Sequence, residues 1–291
     1  MRVHLVDGTY ELFRQHFGQV TRHSNSHPLA AAAGVVASTL ALVADGATHV
    51  GVASDHTIES FRNDLYAGYK DGAGMDEAIL LQIPVMEDAL AAAGFVVWPM
   101  VTHEADDALG AAAAVAAEDD RVEQVLIVTP DKDLGQCVRG DRVVQFDRRK
   151  REVLDEAAIV AKFGVGPSSI TDYLCLVGDS ADGFPGLPGW GAKSASAVLA
   201  RYGHIEHIPP AAGQWDVAGL RGAAKLSATL QAQLSDAYLF RRIATIDTQV
   251  DVGAVDDWHW TGPTDRFADV AEQLGAPELA DQARTLATAI S

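Results

Sequence analysis

The stretch Thr102-His103-Glu104-Ala105-Asp106-Asp107-Ala108-Leu109-Gly110 places three carboxylates within four positions and leads into an alanine-rich run that ends near Ala117. Carboxylates held so close together beside an apolar helix repel one another unless a cation lies between them. Further acids stand at the ends of other apolar runs, namely Asp7, Asp55, the pair Asp131 and Asp133, and the pair Asp179 and Asp182. We therefore predict that the fold gathers these nine carboxylates around two or three divalent metal ions.

Five short runs rich in β-formers predict an α/β fold, with a mostly parallel sheet flanked by helices. The predicted strands cover residues 2–6, 47–53, 94–98, 124–128 and 141–146, and helices are expected at 9–17 and 29–43. Most of the acids named above directly follow a predicted strand end. Because ligands bind beyond the carboxyl ends of parallel strands, this shared placement is the main argument for one common site.

The chain is predicted to consist of two domains that meet near Val165-Gly166-Pro167. Residues 1–165 hold the predicted strands, and residues 166–291 are helical with glycine and proline punctuation. Loops are expected at 24–28 and 209–222.

Segment 71–93 opens with two glycines and then becomes amphipathic from Asp76, with a break at Pro84. It is interpreted either as a lid over the site or as the crossover helix of a βαβ unit. The sequence alone leaves both alternatives open.

The composition is that of a globular protein rather than a membrane or secreted one. Of 291 residues, 48% are hydrophobic, but none of the apolar runs reaches transmembrane length and the N-terminus lacks a signal-peptide pattern, so we expect a cytoplasmic protein. Cys137 and Cys175 lie far apart in apolar stretches, which favours free thiols over zinc ligands. The net charge of −18 argues against a broad nucleic-acid-binding face, since phosphate binding leaves a basic footprint. A nucleic-acid partner therefore requires a local, structured site.

The acidic set suits hard divalent cations such as Mg²⁺ and Mn²⁺, which prefer oxygen ligands. On a helix, Glu104 and Asp107 share a face while Asp106 points elsewhere. The three therefore cannot all bind one ion directly, which favours two ions or bridging water. The alternative is that these acids only cap the helix, whose dipole stabilises negative charge at the N-terminus.

The run from Glu59 to Lys70 places Arg62, Tyr66 and either Tyr69 or Lys70 on one side of a predicted helix. Cations beside metal-bound carboxylates suit the stabilisation of a phosphoryl transition state. The tyrosines suit stacking on an unpaired base. The alternative is a solvated amphipathic helix.

The stretch from Gly178 to Ser194 predicts a tight hairpin between two helices, formed by residues 186–191. Such a hairpin turns backbone N–H groups and a helix N-terminus toward a phosphate. The predicted contacts are Gly186, Gly189, Gly191, Lys193 and Ser194, and the alternative is an ordinary glycine-rich turn. The basic run 147–151 is predicted to lie in a hairpin after the fifth strand, either solvated or in contact with DNA.

Six spaced motifs together resemble the structure-specific 5′-nuclease family, which includes the 5′-nuclease domain of bacterial DNA polymerase I, phage 5′ exonucleases and flap endonucleases. They are Asp7-Gly8, Ser54-Asp55, Phe61-Arg62 with Gly68-Tyr69-Lys70, Glu104-Ala105-Asp106-Asp107, Thr129-Pro130-Asp131-Lys132-Asp133-Leu134 and Gly178-Asp179-Ser180-Ala181-Asp182. The resemblance covers about residues 2–205. It implies a PIN-like α/β domain followed by a helix–three-turn–helix (helix-hairpin-helix) DNA-binding motif at about 167–203.

The resemblance also implies roles for individual residues. Asp7, Asp55, Glu104, Asp106 and Asp107 would surround one Mg²⁺ or Mn²⁺ ion, and Asp131, Asp133, Asp179 and Asp182 a second. Lys70 and Arg62 would be the catalytic cations. Residues 71–93 would form a helical arch for a 5′ single strand, and the 186–191 hairpin would bind K⁺ and the duplex backbone. The arch departs from this pattern because no Lys or Arg lies between Asp71 and Ala93.

The expected function is therefore metal-dependent hydrolysis of DNA phosphodiesters at 5′ ends or flaps, in replication or repair, by a monomeric stand-alone nuclease that leaves a 5′-phosphate. Two alternatives remain at this point. One is a catalytically silent protein that binds DNA structures, and the other is a PIN-type ribonuclease.

Overall fold

A six-stranded sheet organises the first lobe of the chain, in a computed structural model that describes residues 1–20 and 27–290. Residues 24–26 of the predicted loop at 24–28 lie outside these ranges. The strands are β1 Arg2–Asp7, β2 His49–Asp55, β3 Val96–Met100, β4 Gln124–Val128, β5 Val143–Asp147 and β6 Glu152–Leu154. Their order is β3-β2-β1-β4-β5-β6, and every pair is parallel except β5 with β6. The predicted mostly parallel α/β sheet is confirmed.

Two strand predictions missed details that have physical reasons. β3 extends past the predicted end at Trp98 and includes Pro99, which is tolerated because β3 is an edge strand. β6 was not predicted, since three residues are too few for a period-two pattern. It pairs with β5 across the basic turn, so the predicted hairpin around 147–151 is present.

The helices follow the strands in the expected α/β rhythm. Their bounds are α1 Gly8–Val20, α2 Ala30–Ala44, α3 Phe61–Leu65, α4 Glu77–Leu80, α5 Gln82–Ala92, α6 Ala105–Ala117, α7 Glu156–Phe163, α8 Ile170–Val177, α9 Ala192–Tyr202, α10 Ala223–Ala232, α11 Leu234–Ala244, α12 Phe267–Gln273 and α13 Glu278–Ile290. No helix among the described residues is both long and apolar enough to cross a bilayer.

The two faces of the sheet bury separate cores. Val6 and Val128 belong to the core formed with α1, α2 and α5. Leu5 and Ile127 belong to the opposite core, formed with α6. Neighbouring residues of one strand point to opposite faces, which is why these strands read as continuous apolar runs.

Helix α5 lies in the first of these cores and not over the site. Ile83, Met86 and Leu90 are fully buried there, and α5 packs against α2 between β2 and β3 in the chain. Of the two alternatives for 71–93, the contacts of α5 are those of a crossover helix, so the arch expected at about 71–93 is wrong for residues 82–92. Exposed residues of this segment are concentrated at 71–78, where Gly72 and Met75 alone are half-buried.

A second lobe, made by α7 to α11, has its own core. Phe163, Leu174, Leu199, Leu230 and Phe240 share this core. Tyr66 and Tyr69, which follow α3, also pack against it and connect the two lobes.

The chain then returns to the sheet. Trp258 packs edge-on against Trp98 of β3, with ring centroids 5.4 Å apart, and the indole N–H of Trp260 donates to the Ala93 carbonyl at 2.9 Å. Helices α12 and α13 pack on α5 and α2. The second domain is predicted to run from 166 to 291, and residues from about 246 onward pack in the cores of the first lobe.

Candidate metal centre and nucleic-acid site

The carboxyl edge of the sheet carries the first group of predicted ligands. Asp7 is the last residue of β1, and its two oxygens accept from the Tyr10 N–H (2.8 Å) and the Thr129 hydroxyl (3.0 Å). Asp55 is the last residue of β2 and accepts from the Ala105 N–H at 2.8 Å. Asp55 thus reaches the N-terminus of α6, and Asp7 lies close enough to Asp55 and Asp106 for their charges to interact.

Burial and mutual repulsion dominate the electrostatics of this group. Burial, aided by the charges of Asp55 and Asp131, raises the pKa of Asp7 to about 7. Burial also raises the pKa of Asp55, and Asp106 has a pKa well above its ordinary range because it is buried beside Asp131, Asp7 and Asp133. In the absence of a cation, this edge of the sheet favours protonated carboxyl groups.

The second group of predicted ligands comes from two different loops. Asp133, Asp179 and Asp182 each offer an oxygen, and these oxygens lie within 4.8 Å of one another. Asp133 Oδ1 is buried without a hydrogen-bond partner in the described part of the chain. Burial, together with Asp131, Asp182 and Asp179, raises the pKa of Asp133 well above its usual value. An unpaired buried carboxylate oxygen is costly unless a cation binds it.

Lys70 lies where the two groups meet. Its ammonium is 2.9 Å from Glu104 Oε2 and 2.9 Å from Asp182 Oδ1, and its side chain remains 36% exposed. Burial opposes the charge of Lys70, but Glu104 and Asp182 outweigh it and hold its pKa well above the ordinary value. Lys70 is therefore a permanent cation at the open side of the carboxylate cluster.

Glu104 is oriented from several sides. The Ser60 hydroxyl donates to Oε1 at 2.7 Å, and the Tyr69 hydroxyl donates to Oε2 at 3.1 Å. Although burial favours its protonated form, Lys70 and Arg62 keep the pKa of Glu104 below its ordinary value. Glu104 is thus a fixed, charged group.

Lys132 is a member of the site that sequence reasoning missed. Its ammonium forms an ion pair with Asp179 Oδ2. It stands between two predicted ligands in Asp131-Lys132-Asp133. A lysine inside an acidic motif could have indicated that it belongs to the site. Lys132 and Lys70 partly offset the negative charge of the cluster.

Arg62 and Asp107 do not have the predicted roles, because they form a buried ion pair beneath the site. Arg62 is 3% exposed, and its two terminal nitrogens each donate to Asp107 at 2.7 Å. The Arg62 Nε–H donates to the Ile243 carbonyl at 2.8 Å. Asp107 also accepts backbone N–H groups from Glu104 and Asp247. Arg62 as a catalytic cation and Asp107 as a metal ligand are therefore corrected to a structural pair that connects α3, α6 and the end of α11.

The two tyrosines predicted to stack on bases pack against other residues of the protein instead of standing free in solvent. Tyr69 is 5% exposed and uses its hydroxyl on Glu104, so its prediction as a base-stacking residue is wrong. Tyr66 is half-buried and packs edge-on against Phe240 at 5.5 Å. Both rings connect the lobes.

A backbone contact fixes the second lobe against the site. The Lys70 N–H donates to the Asp182 carbonyl at 2.9 Å. Gly183 has φ +86°, and a Cβ there would lie 2.2 Å from the Gly68 carbonyl oxygen. Only glycine allows this approach, which brings Asp179 and Asp182 to the sheet edge.

The predicted hairpin is present between α8 and α9. Gly186 and Gly189 have φ of +68° and +86°, and Gly191 precedes the first turn of α9. The Ser194 hydroxyl accepts the Gly191 N–H and donates to the Gly191 carbonyl, both at 3.0 Å, so it caps the helix. Lys193 is exposed at the same helix end. The geometry leaves Lys193 and the hairpin backbone able to meet a phosphate, while Ser194 serves the helix.

The donor set fits divalent metal ions. Eight carboxylates converge here, with Asp107 excluded, and two lysines neutralise only part of their charge. They are Asp7, Asp55, Glu104, Asp106, Asp131, Asp133, Asp179 and Asp182. All ligands are oxygens, which suits Mg²⁺ and Mn²⁺.

Comparison with known proteins agrees with this geometry. Residues 2–164 match the family described as 5′-3′ exonuclease, N-terminal resolvase-like domain, and residues 165–266 match 5′-3′ exonuclease, C-terminal SAM fold. These matches define the class: a resolvase-like α/β domain followed by a helical SAM-fold domain. The chain belongs to the 5′-3′ exonuclease family.

Individual relatives extend over most of the chain. DNA polymerase I of Pseudomonas aeruginosa is 32% identical over 271 residues, which is 92% of this chain and 29% of that protein. The 5′-3′ exonuclease of Aquifex aeolicus is 31% identical over 209 residues, 71% of each. The solved T5 flap endonuclease in complex with DNA and metal ions shares the fold, with a TM-score of 0.66 at 19% identity over 98% of each chain. This chain thus spans less than a third of the polymerase.

Proposed function

We propose that the protein is a divalent-metal-dependent, structure-specific 5′ nuclease that hydrolyses DNA phosphodiesters at 5′ ends and flaps. The observation that carries this proposal is the convergence of eight carboxylates at one edge of the sheet, next to the partly exposed ammonium of Lys70. Family membership and the DNA and metal ions bound to a T5 relative support the same function.

In this proposal the carboxylates hold two ions, which we assign as Mg²⁺ or Mn²⁺. Asp7, Asp55, Asp106 and Asp131 would hold one, because repulsion already connects their charges. Asp133, Asp179 and Asp182 would hold the other. Bound there, such ions supply activation of water and stabilisation of charge on the phosphate oxygens.

The chain's own groups position the substrate. Lys70, charged and partly exposed, would donate to a non-bridging oxygen of the scissile phosphate. Glu104 and Asp182 fix the place of that ammonium. No nucleophilic side chain is required, so the products would carry a 5′-phosphate and a 3′-hydroxyl.

Three finer assignments accompany the proposal. The first is a monomeric enzyme, in which the eight carboxylates and Lys70 need no second subunit to meet. Gly189 of the 186–191 hairpin has a left-handed backbone and is exposed, which supports K⁺ binding there. Cys137 and Cys175 are free, which supports a reducing, cytoplasmic location.

The test is cleavage of a duplex with a labelled 5′ flap by the full chain, with Mg²⁺, with Mn²⁺ and with EDTA. We expect metal-dependent cutting near the junction and products with a 5′-phosphate. Asp182→Asn is expected to bind the substrate but not cut it. Binding without cutting by the unchanged protein would instead indicate a silent DNA-structure binder, and preferential cutting of an RNA strand would indicate a ribonuclease.

A further inference from the structure

Two glutamine side chains hold the loop that carries Asp131 and Asp133, both of which are predicted metal ligands. The Nε2 amide of Gln145, in β5, donates to the Asp131 carbonyl. The Nε2 amide of Gln136 donates to the Asp133 carbonyl at 2.8 Å. The backbone of each ligand-bearing residue is therefore fixed by a side chain. Gln145 and Gln136 together are called the glutamine clamp below.

Packing alone does not explain a glutamine at position 145. Gln145 is 1% exposed, and its Oε1 has no hydrogen-bond partner among residues 1–20 and 27–290. A buried amide oxygen without a donor lowers stability, whereas an apolar side chain of similar size would not. The opposite orientation of the amide would set Oε1 against the Asp131 carbonyl oxygen, and two acceptors cannot share a hydrogen bond. The hydrogen bond to Asp131 is therefore the feature that a glutamine supplies here.

Gln136 anchors the other side of the same loop. Its Nε2 also donates to the Ala244 carbonyl at 2.9 Å, and its Oε1 accepts the Ile246 N–H at 3.0 Å. Ala244 is the last residue of α11, in the second lobe. The position of Asp133 is thus connected to the lobe that contributes the other two members of its oxygen cluster.

Further hydrogen bonds connect the clamped loop to both groups of carboxylates. Asp131 Oδ1 accepts the Asp133 N–H at 3.0 Å. The Asp131 N–H donates to the Thr129 hydroxyl oxygen at 3.3 Å, and that hydroxyl donates to Asp7 at 3.0 Å. A shift of the clamped backbone would therefore change the spacing of carboxylates in both groups.

We propose that the glutamine clamp determines metal specificity and makes the metal centre bind Mg²⁺ in preference to Ca²⁺, with Gln145 and Gln136 as positioning residues. The inference rests on the proposed function. Mg²⁺ requires short bonds and near-ideal octahedral geometry, whereas Ca²⁺ accepts longer bonds, more ligands and irregular geometry. Carboxylates on a clamped backbone resist the expansion that the larger ion requires. A loop released from the clamp would adapt to Ca²⁺ and lose the fixed spacing that favours Mg²⁺.

The experiment measures metal binding to the full chain without DNA, by isothermal titration calorimetry with MgCl₂ and, separately, with CaCl₂. Gln145→Met keeps the length of the side chain and removes its amide. We expect it to bind Mg²⁺ about tenfold more weakly, since groups that orient metal ligands contribute factors of about that size. Its affinity for Ca²⁺ should change by less than about threefold. Gln136→Met should change the ratio of the two affinities in the same direction.

Gln82→Met is the matched control. Gln82 is also buried, and its amide donates to the Ala78 carbonyl and accepts the Ala32 N–H, away from the carboxylates. Thermal unfolding in EDTA measures stability separately from metal specificity. In Gln145→Met, removal of the unpaired Oε1 offsets the lost hydrogen bond to Asp131, so Tm should stay within about 4 °C of that of the unchanged protein. Gln82→Met should lower Tm more and leave the affinity ratio unchanged.

The outcomes separate the clamp proposal from the nuclease proposal. If Gln145→Met has the same affinity ratio as the unchanged protein, and the unchanged protein cuts a flap duplex, the clamp proposal is overturned and the nuclease proposal stands. An equal change of the ratio in Gln82→Met would also overturn the clamp proposal, because general destabilisation would then explain it. If the ratio changes in Gln145→Met and Gln136→Met but the unchanged protein never cuts, the nuclease proposal fails and the clamp proposal stands.

Discussion

The metal centre and the cleft lined by Lys193, Arg221 and Lys225 have opposite electrostatics, and the loop between α8 and α9 contributes residues to both. At the metal centre, carboxylates are buried, crowded and only partly neutralised by Lys70 and Lys132. In the cleft, cations are exposed and unpaired within the described ranges. The difference teaches that each region is incomplete in its own way, one lacking cations and the other lacking anions. A metal-bound phosphodiester would complete both.

The substitution with the largest expected effect on cleavage is Asp133→Asn. The change keeps the shape but removes a charge from the oxygen cluster that includes a buried, unpartnered Oδ1. We expect cleavage to fall at least about a thousandfold, since loss of several kcal/mol of metal-dependent stabilisation corresponds to that factor. Single-turnover cleavage in Mg²⁺ measures it. Flap binding in EDTA should remain, and retained cleavage would remove Asp133 from the ligand set.

The buried ion pair of Arg62 and Asp107 beneath the site is expected to contribute to the stability of the fold. Arg62→Met leaves Asp107 buried without a counter-ion, and we expect the free energy of unfolding to fall by about 3–5 kcal/mol. Urea denaturation measures this loss.

The matched control for that variant is Arg201→Met, because Arg201 and Asp216 form a surface pair. Its expected cost is below about 1 kcal/mol. Equal losses of unfolding free energy in the two variants would show that burial does not increase the contribution of the Arg62 ion pair to stability.

The fold and the first half of the site could be predicted from local sequence. Asp7 and Asp55 follow apolar strands, and the carboxyl ends of parallel strands necessarily meet. The role of Arg62 could not be predicted, since its partners include the Ile243 carbonyl, 181 positions away. The packing of Trp258 and Trp260 against the first lobe could not be predicted from the sequence either, because an apolar aromatic residue does not indicate which core it joins.

The acidic edge should also make stability depend on pH and metal. The pKa of Asp7 is about 7 in the fold and about 4 when unfolded, so the folded state binds more protons between these values. The stability of the metal-free protein should therefore fall as pH rises from about 4 to about 7.

Thermal unfolding at pH 5 and pH 8, with EDTA or Mg²⁺, measures this dependence. Mg²⁺ should raise Tm more at pH 8 than at pH 5, because deprotonated carboxylates bind it better. An equal rise at both values would mean that the carboxylates are already ionised at pH 5.

The smallest expected effect lies in the cleft. Lys193→Ala should weaken flap binding severalfold and lower the salt slope by about one, since one phosphate contact is lost. Anisotropy in EDTA measures the slope. The cutting rate at saturating enzyme should not change, and a loss of that rate would place Lys193 in the chemistry instead.

Because the chain returns to the sheet after α11, the helical lobe is an insertion within the α/β lobe, attached at both of its ends. Its orientation is thus restrained at two junctions and at the glycine contact between residues 68 and 183. Removing residues beyond 245 would strip Trp258 and Trp260 from the α/β lobe and free one of those junctions. The spacing between the carboxylate cluster and the 186–191 hairpin is consequently a property of the whole chain, because both lobes and both junctions fix it.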